Sequence, residues 1–203
     1  MRLRSCTFVM MLAALMLVPS IGRAQDFGLV ESAETIDRGT FKLRVNPMIV
    51  FGKDGADDEA GVAARLGYGF TDRFDLEGGV ALYDGMRFFG FDGEYWLVRD
   101  PGFNFSVIAG AHFTGGDRIA DQRSFDLSFI GSRALSDRAE FYGGLDFGFK
   151  SLSDVDYSYT TIHLVPGIEY RLAQDLDFVG EFGIALNDDS WHYVSGGLAF
   201  YFR

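Results

Sequence analysis

Apolar and polar residues alternate with a period of two, in segment after segment of roughly ten residues, the spacing of half-buried β-strands. Phe41, Leu43, Val45, Pro47, Ile49 and Phe51 fall on one face, with Lys42, Arg44, Asn46 and Met48 on the other. The next segments set Val62, Leu66 and Phe70 against Arg65, Gly67 and Gly69, then Leu76, Val80 and Leu82 against Asp75, Glu77 and Gly79. Phe89, Phe91, Tyr95 and Leu97 stand opposite Asp92, Glu94 and Trp96. The pattern recurs through Phe103–Phe113, Ser124–Phe129, Glu140–Lys150, Thr161–Arg171, Leu176–Ile184 and Val194–Phe202. Helical spacing is almost absent. About ten strands are predicted, an even number, as bacterial membrane barrels have.

The connections alternate as well. Thr71-Asp72-Arg73, Arg99-Asp100-Pro101-Gly102, Ser136-Asp137-Arg138 and Ala173-Gln174 are tight polar turns. Between them come Lys53–Glu59, Asp84–Met86, Gly115–Gln122, Ser151–Asp156 and Asn187–Asp189, more variable and mostly acidic. Short turns on one side and longer loops on the other are the asymmetry of a membrane barrel with both termini in the periplasm. The sequence therefore predicts an all-β fold: a closed, antiparallel, up-and-down transmembrane barrel over residues 39–203.

The first residues read differently. Arg2 and Arg4 precede an unbroken apolar run from Phe8 to Val18, then Pro19, Ser20 and the small residues of Gly22-Arg23-Ala24. The run is shorter than the roughly 20 residues a membrane helix needs. It predicts a cleaved export signal over 1–24, followed by a short periplasmic segment over 25–38. Cys6, the single cysteine, would leave with the signal, so the mature chain would hold no disulfide and no thiolate ligand. The formal net charge of −11 becomes more negative without Arg2, Arg4 and Arg23, which argues against nucleic acid as a partner.

Alternation alone does not distinguish a membrane barrel from a soluble, lipocalin-like carrier with an apolar inside. Volume does. The chain has 21 Phe, and a barrel of about ten strands is only somewhat wider than the eight-stranded kind that side chains already fill. The opposite face is rich in Gly, Ala and Ser, which suits a cramped lumen. The apolar face is therefore expected to meet lipid.

The chain end adds a separate signal. Ser195-Gly196-Gly197-Leu198-Ala199-Phe200-Tyr201-Phe202 resembles the C-terminal assembly signal of outer-membrane barrels, with Ser195, Gly197, Phe200 and Phe202 at its defining positions. Arg203 follows, so the aromatic is penultimate. The resemblance to small Gram-negative outer-membrane barrel proteins implies insertion by the barrel-assembly machinery, contact with outer-membrane lipid and lipopolysaccharide, and an integral multi-pass location in a monomer.

Inside, Lys42 and Arg44 sit low on the first strand, with Gly67 and Gly69 leaving room toward Asp75 and Glu77, and Gly197 and Ala199 leaving room toward Asp177 and Glu181. With Arg65, Asp92, Glu94, Glu169 and Arg171 these predict an ion-paired network across the periplasmic half of the lumen, because buried charges persist when paired. Such a network either fills the barrel or forms the constriction of a narrow, cation-preferring pore. Catalytic chemistry has little support. His112 and Thr114 both face inward, so the lipid-facing His-x-Ser pair of outer-membrane lipases and deacylases is missing, and His192 has Val194 at that place. His163 is expected to be a hydrogen-bonded filler. No cofactor and no zinc site are expected. Asp54, Asp57, Asp58 and Glu59, in an outer loop, offer hard oxygen ligands for calcium or magnesium, but a solvated loop is the preferred reading. The reading is a non-enzymatic structural or surface-interaction protein with a largely filled lumen. A porin-like channel is the alternative, and a lipid-modifying enzyme a distant third.

Overall fold

The computed structural model describes residues 28–29, 31–53, 55–83, 85–116, 121–153 and 156–203. The expected export signal, with Cys6, lies outside these residues, as does Asp54. Ten strands follow one another: β1 (Phe41–Val50), β2 (Glu59–Thr71), β3 (Phe74–Tyr83), β4 (Met86–Asp100), β5 (Phe103–Gly116), β6 (Gln122–Ala134), β7 (Ala139–Leu152), β8 (Ser158–Ala173), β9 (Leu176–Ala185) and β10 (Tyr193–Phe202). Each pairs antiparallel with its sequence neighbour, and β1 pairs with β10 to close the barrel. Closure leaves no sheet edge, so strand backbone groups find partners without water.

The two-residue period becomes an inside and an outside. In β1, Lys42, Arg44, Asn46, Met48 and Val50 are buried, while Phe41, Leu43, Val45 and Ile49 are exposed. The same division holds around the ring. Phe91 is 66% exposed, Leu82 57% and Val80 55%, whereas Arg44, Asn46 and His163 are fully buried. A water-soluble protein does not wrap itself in a continuous apolar belt of this extent, so the belt faces hydrocarbon. Stacked rings reinforce it across strands: Phe89 on Phe113 at 4.9 Å and Phe41 on Phe202 at 5.6 Å, the latter across the closing seam. The aromatics near the loop rim divide between the two faces. Tyr157 is exposed, but Tyr159 and Tyr193 point inward and Trp191 packs against an inner apolar cluster.

Register shifts interrupt the ladders at Gly69/Thr71, Trp96/Val98 and Arg171/Ala173, and two further gaps fall at proline. The β1–β10 register skips Asn46 and Pro47, and the β8–β9 register skips Val165 and Pro166. Proline has no N–H to donate. At the first gap the lumen supplies a patch: Ser195 Oγ donates to the Pro47 carbonyl at 3.0 Å, and Asn46 Nδ2 donates to Ser195 Oγ at 3.1 Å.

The N-terminal segment corrects the sequence reading. Residues 25–38 were expected to be periplasmic, yet Leu29, Glu31, Ser32, Ala33, Thr35 and Ile36 are buried. The described residues 28–29 and 31–37 lie within the bore, and the chain reaches the mouth at Thr40 before turning up into β1. Arg38 forms a single parallel bridge with Gly69, and Gly39 N donates to the Gly69 carbonyl at 2.8 Å. The physical reason is room. Inward glycines leave a void that this segment fills: a Cβ at Gly69 would overlap the carbonyls of Ile36 and Asp37, and one at Gly144 would meet the Leu29 side chain.

Candidate functional site: an occluded lumen

The strongest charges lie where β1 and β2 face β3 and β4. Arg44 and Arg65 are direct cross-strand partners, as are Glu77 and Asp92. Like charges directly opposite one another are unfavourable, but the tilt of the strands sets each base against an acid. Arg44 Nη2 lies 2.6 Å from Glu77, Lys42 Nζ 3.2 Å from Glu77, and Arg65 Nη1 3.7 Å from Glu77 and 3.4 Å from Asp92. Of the side chains expected from sequence, the structure brings together Lys42, Arg44, Arg65, Glu77 and Asp92.

Other expected members have different partners. Asp75 makes no ion pair with a base among the described residues; its Oδ2 accepts the Ile36 N–H at 2.6 Å. Glu94 lies directly opposite Asp75 and is fully buried. Glu181 does not meet Lys42 or Arg44 but accepts from Leu29 N at 3.1 Å, Tyr142 Oη at 3.0 Å and Tyr193 Oη at 3.0 Å. Glu169, Arg171 and Asp177 line a cavity of about 700 Å³ at the lower mouth instead. The single network expected across the periplasmic half is therefore divided. The bases of β1 and β2 turn toward β3 and β4 and away from β9, because the inserted segment stands between them and Glu181.

That segment supplies the missing carboxylate. Glu31 accepts from Lys42 Nζ at 3.1 Å and Arg44 Nη1 at 3.0 Å, both side chains being essentially dry. Ala33 N donates to Ser132 Oγ at 3.2 Å, and Arg65 Nη2 donates to the Gly28 carbonyl at 3.2 Å. Leu29 and Ala33 pack with Ile108, Ile130, Tyr142, Val165 and Val179 in an apolar cluster within the bore. Sequence reasoning missed Glu31 because the stretch has no periodicity. The surplus of inward glycines was the available clue.

His112 was also missed as part of the lumenal network. Its Nε2 lies 2.9 Å from Asp92, and its Nδ1 contacts Asp126. Gly90 makes this possible, since a Cβ there would run into the imidazole. The chain Arg65–Asp92–His112–Asp126 thus spans β2 to β6. His163 Nε2 donates to the Trp191 carbonyl at 3.0 Å, and its Nδ1 is 3.9 Å from Asp146. Toward the loops, Met48, Val50, Tyr83, Met86, Phe88 and Tyr193 form an apolar cluster inside the wall of β1, β3, β4 and β10. A cavity of about 20 Å³ lies beside His112 and Asp126.

Glu34 lies in the inserted segment, outside the strands and partly open to the lower mouth. Burial, then the Glu140 and Glu169 carboxylates, push its pKa up to about 6, against the Asn104 amide that donates to it at 2.8 Å. Among the described residues no group of three or more His, Cys, Asp or Glu is placed to hold a metal. The assembly-signal positions divide as a strand requires, with Ser195 and Gly197 inward and Phe200 and Phe202 in the apolar belt.

A closed ring of ten antiparallel strands, greasy outside and charged within, leaves one class of architecture. The fold is that of an outer-membrane β-barrel. No family model matches the sequence, and no curated protein matches it. Among solved structures, an outer-membrane channel from Pseudomonas putida F1 superposes with a TM-score of 0.58 at 11% identity, covering 88% of this chain and 100% of that one. The KdgM porin is similar with a TM-score of 0.47 at 11% identity, over 80% and 99% of the two chains. Ail, the attachment invasion locus protein of Yersinia pestis, gives 0.35 at 11% identity, over 81% and 99%. This barrel is an integral outer-membrane protein.

Proposed function

We propose that the protein is a closed outer-membrane barrel with a non-enzymatic, structural or surface-interaction role. The observation that supports this is occupancy of the bore: the described residues 28–29 and 31–37 lie in it, tied to Lys42, Arg44, Asp75, Ser132 and Glu181. A barrel whose job is continuous diffusion would not fill its narrowest part with its own chain. Assembly through the Ser195–Phe202 signal and a monomeric state belong to the same reading. The test is conductance. Purified full-length protein in planar bilayers is expected to give no steps, and stepwise conductance of the wild type would refute closure.

A gated channel is the second reading, and one feature favours it. The occluding segment is held by side chains and one short bridge to Gly69, so it can leave without breaking the barrel. The likeness to a named outer-membrane channel is compatible with it. Removing residues 28–37 should then turn a silent barrel into a conducting one, with an open bore in which Asp75, Glu77, Asp92 and Glu94 outnumber Lys42, Arg44 and Arg65 and favour cations.

A further inference from the structure

The loop end of the barrel is acidic: Asp57, Asp58, Glu59, Asp121, Asp156, Asp188 and Asp189 all lie there. Lys150, near the same end, is buried in the bore; three further bases among the described residues join them at the rim. Lys53 is 3.6 Å from Asp188. The other two, Arg87 and Arg123, are exposed, and neither makes an ion pair with a described residue.

Their placement is specific. Arg87 follows the outward phase of Phe89 and Phe91 in β4, and Arg123 that of Phe125 in β6. Arg87 lies opposite Gly115 of β5, and Arg123 opposite Phe113. They therefore flank one strand, offset by two residues along it and roughly 12 Å apart at the backbone by strand spacing and rise, within reach of a single headgroup. Gly115 between them has no side chain, and the groove it leaves, about 590 Å³, is lined by both arginines, Phe89, Phe113 and Asp121. Directly beneath, the Phe89 and Phe113 rings are stacked in the apolar belt. The belt places both guanidiniums at the height where hydrocarbon gives way to headgroups in the outer leaflet. Asp121 Oδ1 stands over Gly115, 2.7 Å from where a Cβ of that glycine would be, and the described residues of the groove carry a net charge of +1.

We propose that Arg87 and Arg123 form a binding site for a phosphate-bearing lipid of the outer leaflet. The guanidiniums clamp its phosphate, and its acyl chains lie along Phe89, Phe113 and Phe125. Guanidinium forks match phosphate oxygens, and the remaining acidic rim repels the same headgroup, so attachment is confined to this side of the barrel. The site rests on the outer-membrane placement and is independent of whether the bore is shut.

The test is native mass spectrometry of the full-length barrel in zwitterionic detergent, titrated with bis-phosphorylated lipid A. The wild type is expected to hold one lipid, and Arg87→Ala with Arg123→Ala to weaken binding about 30-fold, as two arginines near an anionic lipid imply. The Arg87→Lys, Arg123→Lys pair should recover part of the affinity. Arg138→Ala, at the opposite rim, should change nothing. Heat-modifiable migration confirms folding of each variant, and Arg87→Gln with Arg123→Gln replaces the alanine pair if that fails. Equal binding by the wild type and the folded double variant would overturn the site. So would equal binding of dephosphorylated lipid A, or displacement of the lipid by an equal concentration of inorganic phosphate.

Discussion

Replacing Glu31 by alanine should loosen the inserted segment while leaving the barrel intact. The carboxylate receives two charge-assisted hydrogen bonds, at 3.1 Å from Lys42 and 3.0 Å from Arg44. Each such bond contributes about 1.5–3 kcal/mol. Both bases keep Glu77, at 3.2 and 2.6 Å, so neither is left as an isolated buried charge and the lower end of the range applies. Two bonds then amount to about 3 kcal/mol, or roughly 100-fold in the balance between seated and released segment. Hydrogen exchange reads this directly, because the amides of Leu29, Ala33 and Ile36 are protected by Glu181, Ser132 and Asp75 side chains. Their protection should fall by roughly that factor while strand amides hold theirs. Unchanged protection at the three amides would refute the idea that Glu31 anchors the segment. A parallel loss throughout the strands would refute its separability from the barrel.

Further outcomes follow from other contacts. Gly69→Ala should release the segment without changing any charge, since its Cβ would strike the carbonyls of Ile36 and Asp37, and the same exchange measurement checks it. The pKa of Glu34 in the folded protein, about 6, lies above its ordinary 4.5, so its contribution to seating is full below about pH 4.5 and lost as pH rises through about 6. Protection factors of the segment should thus be higher at pH 5 than at pH 7, and Glu34→Gln should flatten the difference. His112→Ala removes the group between Asp92 and Asp126 and should cost about 3 kcal/mol, seen as a lower urea midpoint in micelles; an unchanged midpoint would count against a structural role for that chain. Phe91→Arg puts a charge at a 66% exposed site in mid-strand and should destabilise the barrel by about 2–4 kcal/mol in a bilayer. A gain in stability or detergent-free solubility would show that this face does not meet lipid.

Some of this was legible without coordinates. Strand positions, the tight and long sets of connections, and the face of the residues between the bulges follow from a period of two. That period is local: once one residue of a strand is known to face lipid, every second one must as well. The sequence also showed which charges point inward, including Lys42, Arg44, Arg65, Glu77 and Asp92.

Which inward charges meet, and what fills the space between them, required the closed barrel. Partnership across a bore depends on strand tilt and on cross-strand register, which set Lys42 and Arg44 toward Glu77 and away from Glu181. The stretch before β1 has no repeating pattern, so nothing local distinguishes a periplasmic tail from an inserted one. Its location is decided by shape. The glycines of the inner face leave a groove deep enough for a backbone, and Glu31 within it meets two bases that would otherwise share a single acid, Glu77.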